Sequence, residues 1–273
     1  MSAHKTILVT GSTDGLGRRV VEELARPGMH ILVHGRDTRR GAAAVHAVEQ
    51  AGGTARFFEA DFASLGDVHR LADAVHAECS HLDALVNNAG ISKPDGPRRE
   101  STDGYERHFA INYLATFLLT ERLLPLLKAG GGEDPSRIVT VASAGQSAID
   151  FDDVMLKHGY QGYRAYGQSK VAQIMYTIDL AERLDARAII ANSLHPGTHM
   201  NTTMVRQAGI TPSTSVGTGA AAVIALTTGR DRAATTGRYF DGQRESRATS
   251  QVYDASARRT LRALSEDLTG LNR

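Results

Sequence analysis

Short apolar runs alternate with longer amphipathic segments along the chain of 273 residues. Several runs are continuous blocks rich in β-branched residues, as expected of strands buried on both faces of a parallel sheet. These predicted strands cover residues 6–10, 30–34, 55–58, 84–87, 137–141 and 188–191. Between them, apolar positions at helical spacing predict helices over residues 16–26, 38–51, 64–79, about 101–128, 162–184 and 216–228.

This alternation predicts a single-domain α/β fold of the Rossmann type, which is a doubly wound parallel sheet with helices on both faces. A further strand at residues 237–240 brings the expected number of strands to about seven, and a closing helix is expected over residues 252–266. Because the sequence shows no repeat, low-complexity tract or interdomain linker, we assign residues 1–273 to one domain.

The composition supports a globular domain and excludes several classes of function. Hydrophobic residues make up 41% of the chain and charged residues 22%, which allows a sizeable core. The net charge is +1, with 31 Lys and Arg against 30 Asp and Glu, so bulk charge predicts neither nucleic-acid nor anionic-membrane binding. The single cysteine, Cys79, excludes an intramolecular disulfide and a cysteine-based zinc site, and its spacing from Leu71 and Val75 predicts a small core residue.

No targeting segment is predicted near the start of the sequence. Only residues 6–10 are apolar before a glycine turn begins, which is too short for the core of a signal peptide. The most apolar long stretch, residues 110–127, is interrupted by Asn112, Glu121, Arg122 and Pro125, so we expect it not to span a membrane. We therefore expect a cytoplasmic protein without membrane partners.

A glycine-rich turn joins the first predicted strand to the first predicted helix. Its spacing is G-x-x-x-G-x-G, which differs from the standard dinucleotide spacing G-x-G-x-x-G. Glycine permits a tight turn and lets backbone N–H groups approach a pyrophosphate at the helix N-terminus. An ordinary strand–helix loop is the alternative, but the place after the first strand favours nucleotide binding. The candidate cofactor-binding residues here are Gly11, Ser12, Thr13, Asp14, Gly15, Leu16 and Gly17.

The second predicted strand leads into Arg36 and Asp37, with Arg36 about 19 residues after Gly17. At this place an acidic residue would bind the ribose 2′-hydroxyl of NAD, whereas an arginine would bind the 2′-phosphate of NADP. The planar guanidinium of Arg36 suits a phosphate, and Asp37 can instead cap the helix that follows. The sequence therefore favours NADP(H), while NAD(H) stays possible. Arg18 either extends the same positive patch or belongs to a solvated helix face.

Two further strand ends carry polar groups that suit a nucleotide. Asp61 and Phe62 follow the third strand, where the carboxylate can receive an adenine amino group; a helix cap is the alternative role of Asp61, with Ser64 as its rival. The fourth strand runs into an Asn-Asn-Ala-Gly sequence at the sheet edge where such folds bind ligands, although a generic turn is the alternative. The candidate residues of this sequence are Asn88, Ala89 and Gly90.

Tyr166 and Lys170 lie four residues apart in a segment predicted as one long helix, so their side chains share a helix face. A cation about 4 Å from a phenol oxygen, at an effective dielectric of about 20, favours the phenolate by roughly 4 kcal/mol, or about three pKa units. We therefore expect Lys170 to lower the pKa of Tyr166 and to make the phenol a general acid or base near neutral pH. The spacing alone is common, and an amphipathic helix with a solvated lysine is the alternative.

Four features in this order resemble the short-chain dehydrogenase/reductase family: the glycine turn, the Asn-Asn-Ala-Gly sequence, Ser143 after a strand, and Tyr166-x-x-x-Lys170. The resemblance extends from residue 6 to about residue 240, and the joint match is specific although each part is not. The branch of retinol-dehydrogenase-like and WW-domain-oxidoreductase-like enzymes is the most similar. The segments that resemble that branch are residues 150–154, 165–170, 194–197 and 265–270.

The resemblance implies a role for each catalytic candidate. Tyr166 passes a proton to or from the substrate oxygen, and Lys170 lowers the pKa of Tyr166 and bonds the nicotinamide ribose. Ser143 positions the substrate carbonyl or hydroxyl, and Asn112 holds a proton-relay water. The alternatives are a helix cap for Ser143 and a buried amide satisfied by backbone for Asn112. The resemblance also implies a cofactor half over about residues 1–135 and a catalytic half over about residues 136–273.

By the same resemblance, backbone groups of Pro196, Gly197 and Thr198 are expected to contact the nicotinamide carboxamide. Many family members carry a threonine four residues after this glycine, where the present chain has Asn201. The residue that bonds the cofactor is therefore open between Asn201 and the neighbouring threonines, which are Thr198, Thr202 and Thr203.

The separation of Ser143 and Tyr166, 23 residues, is longer than in many members of the family. We expect the extra segment, residues 145–163, to form the substrate pocket wall together with residues 196–215, unless it is a surface insertion without substrate contact. The candidates in the two segments are Phe151, Met155, Tyr160, Tyr163, Met200, Met204 and Ile210. The histidines at positions 195 and 199 lack metal-ligand spacing and are expected to be structural, so no metal site is predicted.

The leading hypothesis is an NADP(H)-dependent alcohol dehydrogenase or carbonyl reductase with an apolar small-molecule substrate. The alternatives are an NAD(H)-dependent member, an enzyme that reduces a C=C bond, and a dinucleotide-binding sensor without chemistry, against which the complete catalytic set argues. By resemblance we expect a homodimer or homotetramer that pairs through the helix of Tyr166. The apolar positions of that helix can equally be ordinary core; they are Val171, Ile174, Met175 and Ile178.

Overall fold

The computed structural model describes residues 5–271, and the strands of this region form one sheet with helices on both faces. The strands are β1 Lys5–Val9, β2 Met29–Gly35, β3 Thr54–Glu59, β4 Ala84–Asn87, β5 Ser136–Val141, β6 Ile189–His195, β7 Tyr239–Asp241 and β8 Arg244–Ser246. Their order is β3-β2-β1-β4-β5-β6-β7-β8, and every pair is parallel except β7 with β8. This confirms the doubly wound parallel sheet.

The described residues contain eight strands rather than about seven, because the chain turns back after β7. Gly242 has φ +58, which glycine adopts without strain, and it lies in the two-residue turn between β7 and β8. The loop residues are Gly242 and Gln243, and a glycine at the first of two loop positions is a hairpin signal in the sequence. The added strand is a short antiparallel hairpin at the sheet edge and leaves the predicted architecture unchanged.

The helices of the described region alternate with the strands as predicted. They are α1 Gly15–Leu24, α2 Thr38–Gln50, α3 Leu65–Glu78, α4 Ala115–Ala129, α5 Gly162–Arg183, α6 Thr203–Gln207, α7 Val216–Thr228 and α8 Ala255–Thr269. Cys79 caps the C-terminus of α3 and is partly buried against the core, so it follows the helix rather than lying on its buried face.

The predicted helix over residues 101–128 begins later than expected. The backbone N–H of Ser101 donates to the carbonyl oxygen of Tyr105 at 2.8 Å, which closes a turn at Gly104 with φ +82. A π-helical stretch, Phe109–Leu114, then leads into α4. Apolar spacing does not distinguish such a turn from a first helical turn, which explains the early start of the prediction.

The two faces of the sheet carry two separate hydrophobic layers. Helices α1, α2 and α7 cover one face, where Val20 and Val223 pack against strand residues such as Val9. Helices α3, α4, α5 and α8 cover the other, where Phe117 and Ile174 are fully buried. The continuous apolar blocks of the strands are therefore buried on both faces, as parallel strands require.

The stretch Phe109–Ala129 is long and apolar enough to cross a membrane by length and composition, with a mean hydropathy of 1.2. In the fold, however, 78% of its most apolar window is buried against the sheet and neighbouring helices. Burial of this kind is what a core helix of a globular domain shows.

The C-terminal helix α8 packs on the outer side of α5. Asp179 of α5 accepts hydrogen bonds from Arg262 at 2.9 Å, and Glu182 accepts one from Arg258 at 2.5 Å. The sequence did not decide whether four apolar positions of α5 belong to the core or to a subunit interface. All four are buried within this chain; they are Val171, Ile174, Met175 and Ile178. They are therefore core residues.

Candidate active site

A cavity of about 1010 Å³ runs along the carboxyl ends of the strands, where the strand order changes direction between β1 and β4. Ligands of doubly wound sheets bind at this place. Most of the candidate residues line the cavity together: Gly11, Thr13, Asp14, Gly15, Leu16, Gly17, Arg36, Asp61, Phe62, Asn88, Ala89, Gly90, Ser143, Tyr166, Lys170, Pro196, Gly197 and Thr198. Two candidates, Ser12 and Asn112, do not line it.

The glycine turn forms part of the cavity wall, and protein groups pack closely against the side of the turn that faces away from the cavity. Gly11 and Gly15 adopt φ +63 and +54, which favour glycine. A Cβ on Gly17 would lie 2.4 Å from the carbonyl oxygen of Gly11, so only hydrogen fits there. The side chain of Ser12 points inward instead, and its hydroxyl donates to the carbonyl oxygen of Val9 at 2.7 Å. Ser12 therefore shapes the turn and does not face the cavity.

His34, at the end of β2, supports the turn from beneath, and the sequence analysis did not identify it. The backbone N–H of Gly11 donates to its Nδ1 at 3.1 Å, so the ring proton is on Nε2 and faces the carbonyl oxygen of Ala60 at 3.2 Å. Phe62 stacks on the ring at 4.5 Å between centroids. Burial lowers the pKa of His34 to about 4, so the imidazole is neutral.

Asn88 ties the fourth strand to the glycine turn. Its Nδ2 donates to the carbonyl oxygens of Thr10 at 2.8 Å and of Gly11 at 3.1 Å. The Thr10 hydroxyl accepts from the backbone N–H groups of Asn88 and Ala89, both at 3.0 Å. This network fixes the two loops that meet at the centre of the cavity.

Two guanidinium groups lie at the β2 end of the cavity. Arg36 is 58% exposed and lies 3.7 Å from a carboxylate oxygen of Asp61. Arg40, which the sequence analysis did not select, also lines the cavity and donates to Asp14 at 3.1 Å. Spacing from the glycine turn identified Arg36, whereas Arg40 reaches the cavity from the first turn of α2.

The structure distinguishes between the alternative roles expected for Asp37, Asp61 and Arg18. Asp37 caps α2 by accepting from the backbone N–H of Arg40 at 2.9 Å. Ser64 is the cap of α3, which leaves Asp61 on the cavity wall. Arg18 pairs with Glu22 at 2.6 Å on the surface of α1 and does not line the cavity.

Tyr166 and Ser143 meet at the other end of the cavity. Helix α5 carries Tyr166, and Ser143 lies just after β5. Burial raises the pKa of the Tyr166 phenol, and a hydrogen bond with the Ser143 hydroxyl offsets only part of this rise. Tyr166 is therefore a protonated phenol at neutral pH.

Lys170 is buried beside the phenol, with its Nζ 5.6 Å from the centre of the Tyr166 ring. The ammonium donates to the carbonyl oxygen of Val141 at 3.0 Å and to Oε1 of Gln173 at 2.9 Å. Burial lowers the pKa of Lys170 to about 7. Desolvation thus disfavours both charged forms, and the expectation that Lys170 lowers the pKa of Tyr166 stays a prediction.

Asn112 lies behind the cavity, on the π-helical stretch before α4. Its Oδ1 accepts from the backbone N–H of Ile91 at 2.8 Å, and its Nδ2 donates to the Ser169 hydroxyl at 2.9 Å. The side chain is fully buried, and its polar atoms are bonded to protein groups. Asn112 thus joins the loop after β4 to α5, close to Tyr166.

Residues 196–215 close over the glycine turn. Within this segment, the Thr203 hydroxyl donates to Asp14 at 3.2 Å, and Thr202 lies against Gly15. Asn201 faces away from the cavity and accepts from Arg206 at 2.7 Å. The threonines at 198, 202 and 203 line the cavity, and they are the residues of this group that can reach a bound cofactor.

The extra segment, residues 145–163, contributes less to the cavity wall than expected. Of its four apolar and aromatic candidates, only Tyr163 lines the cavity. Phe151 and Met155 pack against the hydrophobic core, and Tyr160 donates to the buried carboxylate of Glu106 at 3.2 Å. Sequence spacing located the segment correctly but could not show which of its side chains turn inward.

His195, the last residue of β6, and His199 both line the cavity but have different surroundings. His195 lies 3.1 Å from the Thr198 hydroxyl through Nε2, and burial lowers its pKa. His199 has φ +44, an unusual value for a residue other than glycine. Within residues 5–271, no cluster of three or more His, Cys, Asp or Glu side chains is arranged to hold a metal ion.

The geometry brings a proton donor, a hydroxyl and a buried amine to one end of a long cavity, and its other end carries two arginines beside three aspartates. A phenol and a hydroxyl side by side can hydrogen-bond one oxygen atom of a bound molecule. The glycine turn offers backbone N–H groups at the N-terminus of α1, where helices bind phosphate. The arrangement can therefore hold a phosphate-bearing ligand and exchange one proton with a second molecule.

Comparison with known proteins agrees with this geometry. The sequence model of the short chain dehydrogenase family matches residues 5–212. The chain is 33% identical to human retinol dehydrogenase 13 over 287 residues, covering 98% of this chain and 85% of that protein. It is 41% identical to mouse polyprenol dehydrogenase over 212 residues, covering 75% of this chain but only 62% of that protein.

Solved structures with the same fold include one from Mycobacterium paratuberculosis, an uncharacterized protein with a TM-score of 0.76 and 31% identity, covering 98% of this chain and 94% of that one. Another is the RhlG/NADP active-site complex of Pseudomonas aeruginosa, with a TM-score of 0.72 and 28% identity, covering 88% of this chain and 94% of that one. The fold, the converging residues and these matches lead to one conclusion: the chain belongs to the short-chain dehydrogenase/reductase family of oxidoreductases, on its retinol-dehydrogenase-like branch.

Proposed function

We propose that the protein is an NADP(H)-dependent oxidoreductase that transfers a hydride between nicotinamide and an apolar carbonyl compound or alcohol. One observation carries the proposal: Ser143, Tyr166 and Lys170 lie at one end of the cavity whose other end holds Arg36 and the glycine turn. In a dinucleotide bound along this cavity, the glycine turn would hold the phosphates, and Tyr166 would lie beside the nicotinamide.

The residues present fit a dinucleotide phosphate. The close packing at Gly17 and the positive φ of Gly11 shape a tight turn at the N-terminus of α1, which is where helices bind phosphate. Arg36 and Arg40 are each more than half exposed at the β2 end, so their guanidinium groups can turn toward a 2′-phosphate. The NADP complex among the structural relatives supports the same choice.

The proton in this chemistry belongs to Tyr166. When bound, the nicotinamide cofactor supplies or accepts the hydride. The phenol, protonated because burial raises its pKa, donates a proton to a carbonyl oxygen as that oxygen gains negative charge. The Ser143 hydroxyl, next to the phenol, donates a second hydrogen bond to the same oxygen. The protonated phenol favours carbonyl reduction near neutral pH.

The mouth of the cavity supports an apolar substrate. The described residues include four large hydrophobic side chains that are exposed, and three of them, Tyr163, Met204 and Ile210, line this cavity. Their exposed fractions are 64%, 40% and 36%. Two relatives are named for the alcohols retinol and polyprenol. Both alcohols are apolar, which agrees with an apolar cavity mouth.

Replacement of Arg36 tests the cofactor assignment. Loss of a charged hydrogen bond to the 2′-phosphate costs about 1.5–3 kcal/mol, so Arg36→Ala should weaken NADPH binding by roughly ten- to a hundredfold and NADH binding much less. Titration of both cofactors, followed by fluorescence, measures this.

Arg39→Ala is the matched control, because Arg39 carries the same charge three residues further along the chain, in the first turn of α2, and does not line the cavity. It should leave both affinities nearly unchanged. An equal loss for NADPH and NADH in Arg36→Ala would contradict the phosphate assignment.

A homodimer or homotetramer is also part of the proposal, but not through the apolar positions of α5, since these are buried in the core of this chain. Light scattering of the purified protein measures the assembly, and a mass of one chain would contradict it. A cytoplasmic location stays a prediction.

A further inference from the structure

A cluster of three polar side chains, two buried and one partly buried, lies near Tyr166 and outside the cavity lining. Glu106, His108 and Tyr160 form it, and we call it the Glu106 cluster. Glu106 is 1% exposed and His108 is 3% exposed. A carboxylate this deeply buried is costly unless hydrogen bonds satisfy it, so the cluster calls for a physical explanation.

The Glu106 carboxylate accepts three hydrogen bonds. The backbone N–H of Phe109 donates to Oε2 at 2.7 Å, and His108 Nδ1 and the Tyr160 hydroxyl donate to Oε1 at 3.0 and 3.2 Å. Burial raises the pKa of Glu106, but the bonds from His108 and Phe109 outweigh it, so the pKa lies below its ordinary value. Glu106 is therefore ionised at neutral pH.

The proton of His108 has a defined place. The backbone N–H of Lys93 donates to Nε2 at 3.1 Å, so Nε2 has no proton and Nδ1 carries the one that Glu106 accepts. The imidazole is thus neutral and is held at both nitrogens. Its ring meets the ring of Tyr166 edge-on, with 6.3 Å between centroids and 83° between planes.

Each bond of the cluster reaches a different part of the active site. Lys93 belongs to the loop after β4, whose residues 91, 92 and 94 line the cavity. Phe109 begins the π-helical stretch that carries Asn112. Tyr160 lies at the end of the extra segment, three residues before the cavity residue Tyr163.

We propose that Glu106, His108 and Tyr160 are positioning residues, which fix the orientation of the Tyr166 ring and hold the extra segment against the cavity loop. This inference rests on the proposed function, because it concerns the same phenol. None of the three side chains lines the cavity, so they act through Tyr166 and the wall and not on the substrate itself. Misplacement of a reacting group by about 1 Å can cost a hundredfold in rate, which is the scale of effect available to such residues.

The three residues should have separable kinetic effects. Tyr160→Phe removes one donor to Glu106 and frees the extra segment, so KM for a bulky carbonyl compound should rise about fivefold or more while kcat falls less than about twofold. His108→Gln keeps an acceptor for Lys93 but removes the ring beside Tyr166, so kcat should fall about tenfold or more. NADPH affinity should change less than about twofold in both variants.

Tyr176→Phe is the matched control for Tyr160→Phe. Tyr176 donates to Glu121 at 3.1 Å, which is the same type of bond at nearly the same length, in the core away from the cavity. It should lower the melting temperature without changing kcat or KM per folded molecule, where the folded fraction is counted by NADPH binding. A purely structural role for the Glu106 cluster predicts that Tyr160→Phe and His108→Gln behave in this way too, which would overturn the proposal.

A second measurement does not depend on turnover. In ¹⁵N-histidine-labelled protein, the His108 signal, identified by its loss in His108→Gln, should show a proton on Nδ1 and none on Nε2. A proton on Nε2 would overturn the proposal even if the kinetics agreed.

If the wild-type protein reduces no carbonyl compound while this signal is as expected, the proposed function fails. The cluster is then judged by a ring contact between His108 and Tyr166 in the nuclear Overhauser spectrum, whose absence would overturn the positioning role.

Discussion

Tyr166 and Lys170 are ordinary residue types whose surroundings give them unusual protonation behaviour. Burial raises the pKa of the phenol and lowers the pKa of the amine to about 7. Desolvation acts in opposite directions on an acid and a base, and here both residues favour their neutral forms. Near neutral pH, a protonated phenol therefore lies next to an amine whose pKa is about 7.

The raised pKa of Tyr166 predicts different pH profiles for the two directions of reaction. Carbonyl reduction needs the phenol, so its kcat/KM should stay level from about pH 6 to pH 8. Alcohol oxidation needs the phenolate, so its kcat/KM should rise about tenfold per pH unit below the pKa of Tyr166. Initial rates in both directions across this range measure this. An oxidation rate that is already level at pH 7 would mean that Tyr166 is ionised there.

The lowered pKa of Lys170 predicts a pH dependence of stability. The folded pKa is about 7 against an ordinary value of 10.5, so between these values the unfolded chain binds more protons and stability rises with pH. The slope can reach about 1.4 kcal/mol per pH unit, and below pH 7 the cost of the buried charge is fully present. Lys170→Met should remove this contribution.

Urea unfolding of the wild-type protein and Lys170→Met at pH 7.5, 8.5 and 9.5 compares the two. The free energy of unfolding should rise more steeply with pH in the wild type than in the variant. Parallel curves would show that Lys170 keeps an ordinary pKa in the folded protein.

At the residue scale, the sequence predicted which side chains meet but not their electrostatics. The four-residue spacing of Tyr166 and Lys170, with Ser143 after a strand, was sufficient to bring all three to one end of the cavity. Their pKa values depend on how much water reaches them, which no spacing records. Glu106 and His108 escaped detection, and Tyr160 was expected in the pocket wall, because the association of the three depends on the fold of residues 91–160 and not on a motif.

At the scale of elements, the glycine turn and the loop after β4 behave as one unit. Asn88 and Thr10 bond the two together, and His34 supports the turn from below. The turn is therefore packed against protein groups on one side, while its residues other than Ser12 line the cavity on the other. A rigid support of this kind preserves the geometry that a phosphate requires.

Gly17 tests the close packing of this unit. A Cβ there would lie 2.4 Å from both the Asn88 side chain and the Gly11 carbonyl oxygen, so Gly17→Ala should destabilise the protein by about 1–3 kcal/mol and weaken NADPH binding. Urea unfolding and an NADPH titration measure the two effects.

Gly66→Ala is the control, since its Cβ would meet its nearest atom, the Ser64 oxygen, at 3.5 Å in the first turn of α3. It should be neutral or stabilising by up to about 1 kcal/mol. If Gly17→Ala behaved like Gly66→Ala, the turn would not be packed as described.

The elements that were predicted well are those with strong periodicity. Apolar blocks located β1, β2, β4 and β5 within about a residue, because burial on both faces leaves a continuous apolar run. The turn at Gly104, before α4, and the hairpin at Gly242 were not predicted. Both depend on backbone hydrogen bonds at turn glycines, which leave little trace in hydrophobic spacing.

At the scale of the whole molecule, the residues that line the cavity come from one chain, and its helix α8 packs against α5, the helix that carries Tyr166. Contacts such as Arg262 with Asp179 hold α8 against α5. The sequence predicted the existence of α8 but not the surface that it covers, since its apolar positions fit several partners equally well. This is also why pairing through α5 could be expected from the sequence, whereas in the fold that face is core.

The replacement of Tyr166 by phenylalanine tests the central claim most directly. Tyr166→Phe removes one hydroxyl, keeps the ring beside His108, and leaves the glycine turn and both arginines in place. We expect NADPH-dependent reduction across a panel of apolar aldehydes and ketones to fall by about 10²–10⁴-fold, while the Kd for NADPH stays within about twofold. A variant that turns over these substrates at the wild-type rate would contradict the account, as would a wild-type protein that binds NADPH and reduces none of them.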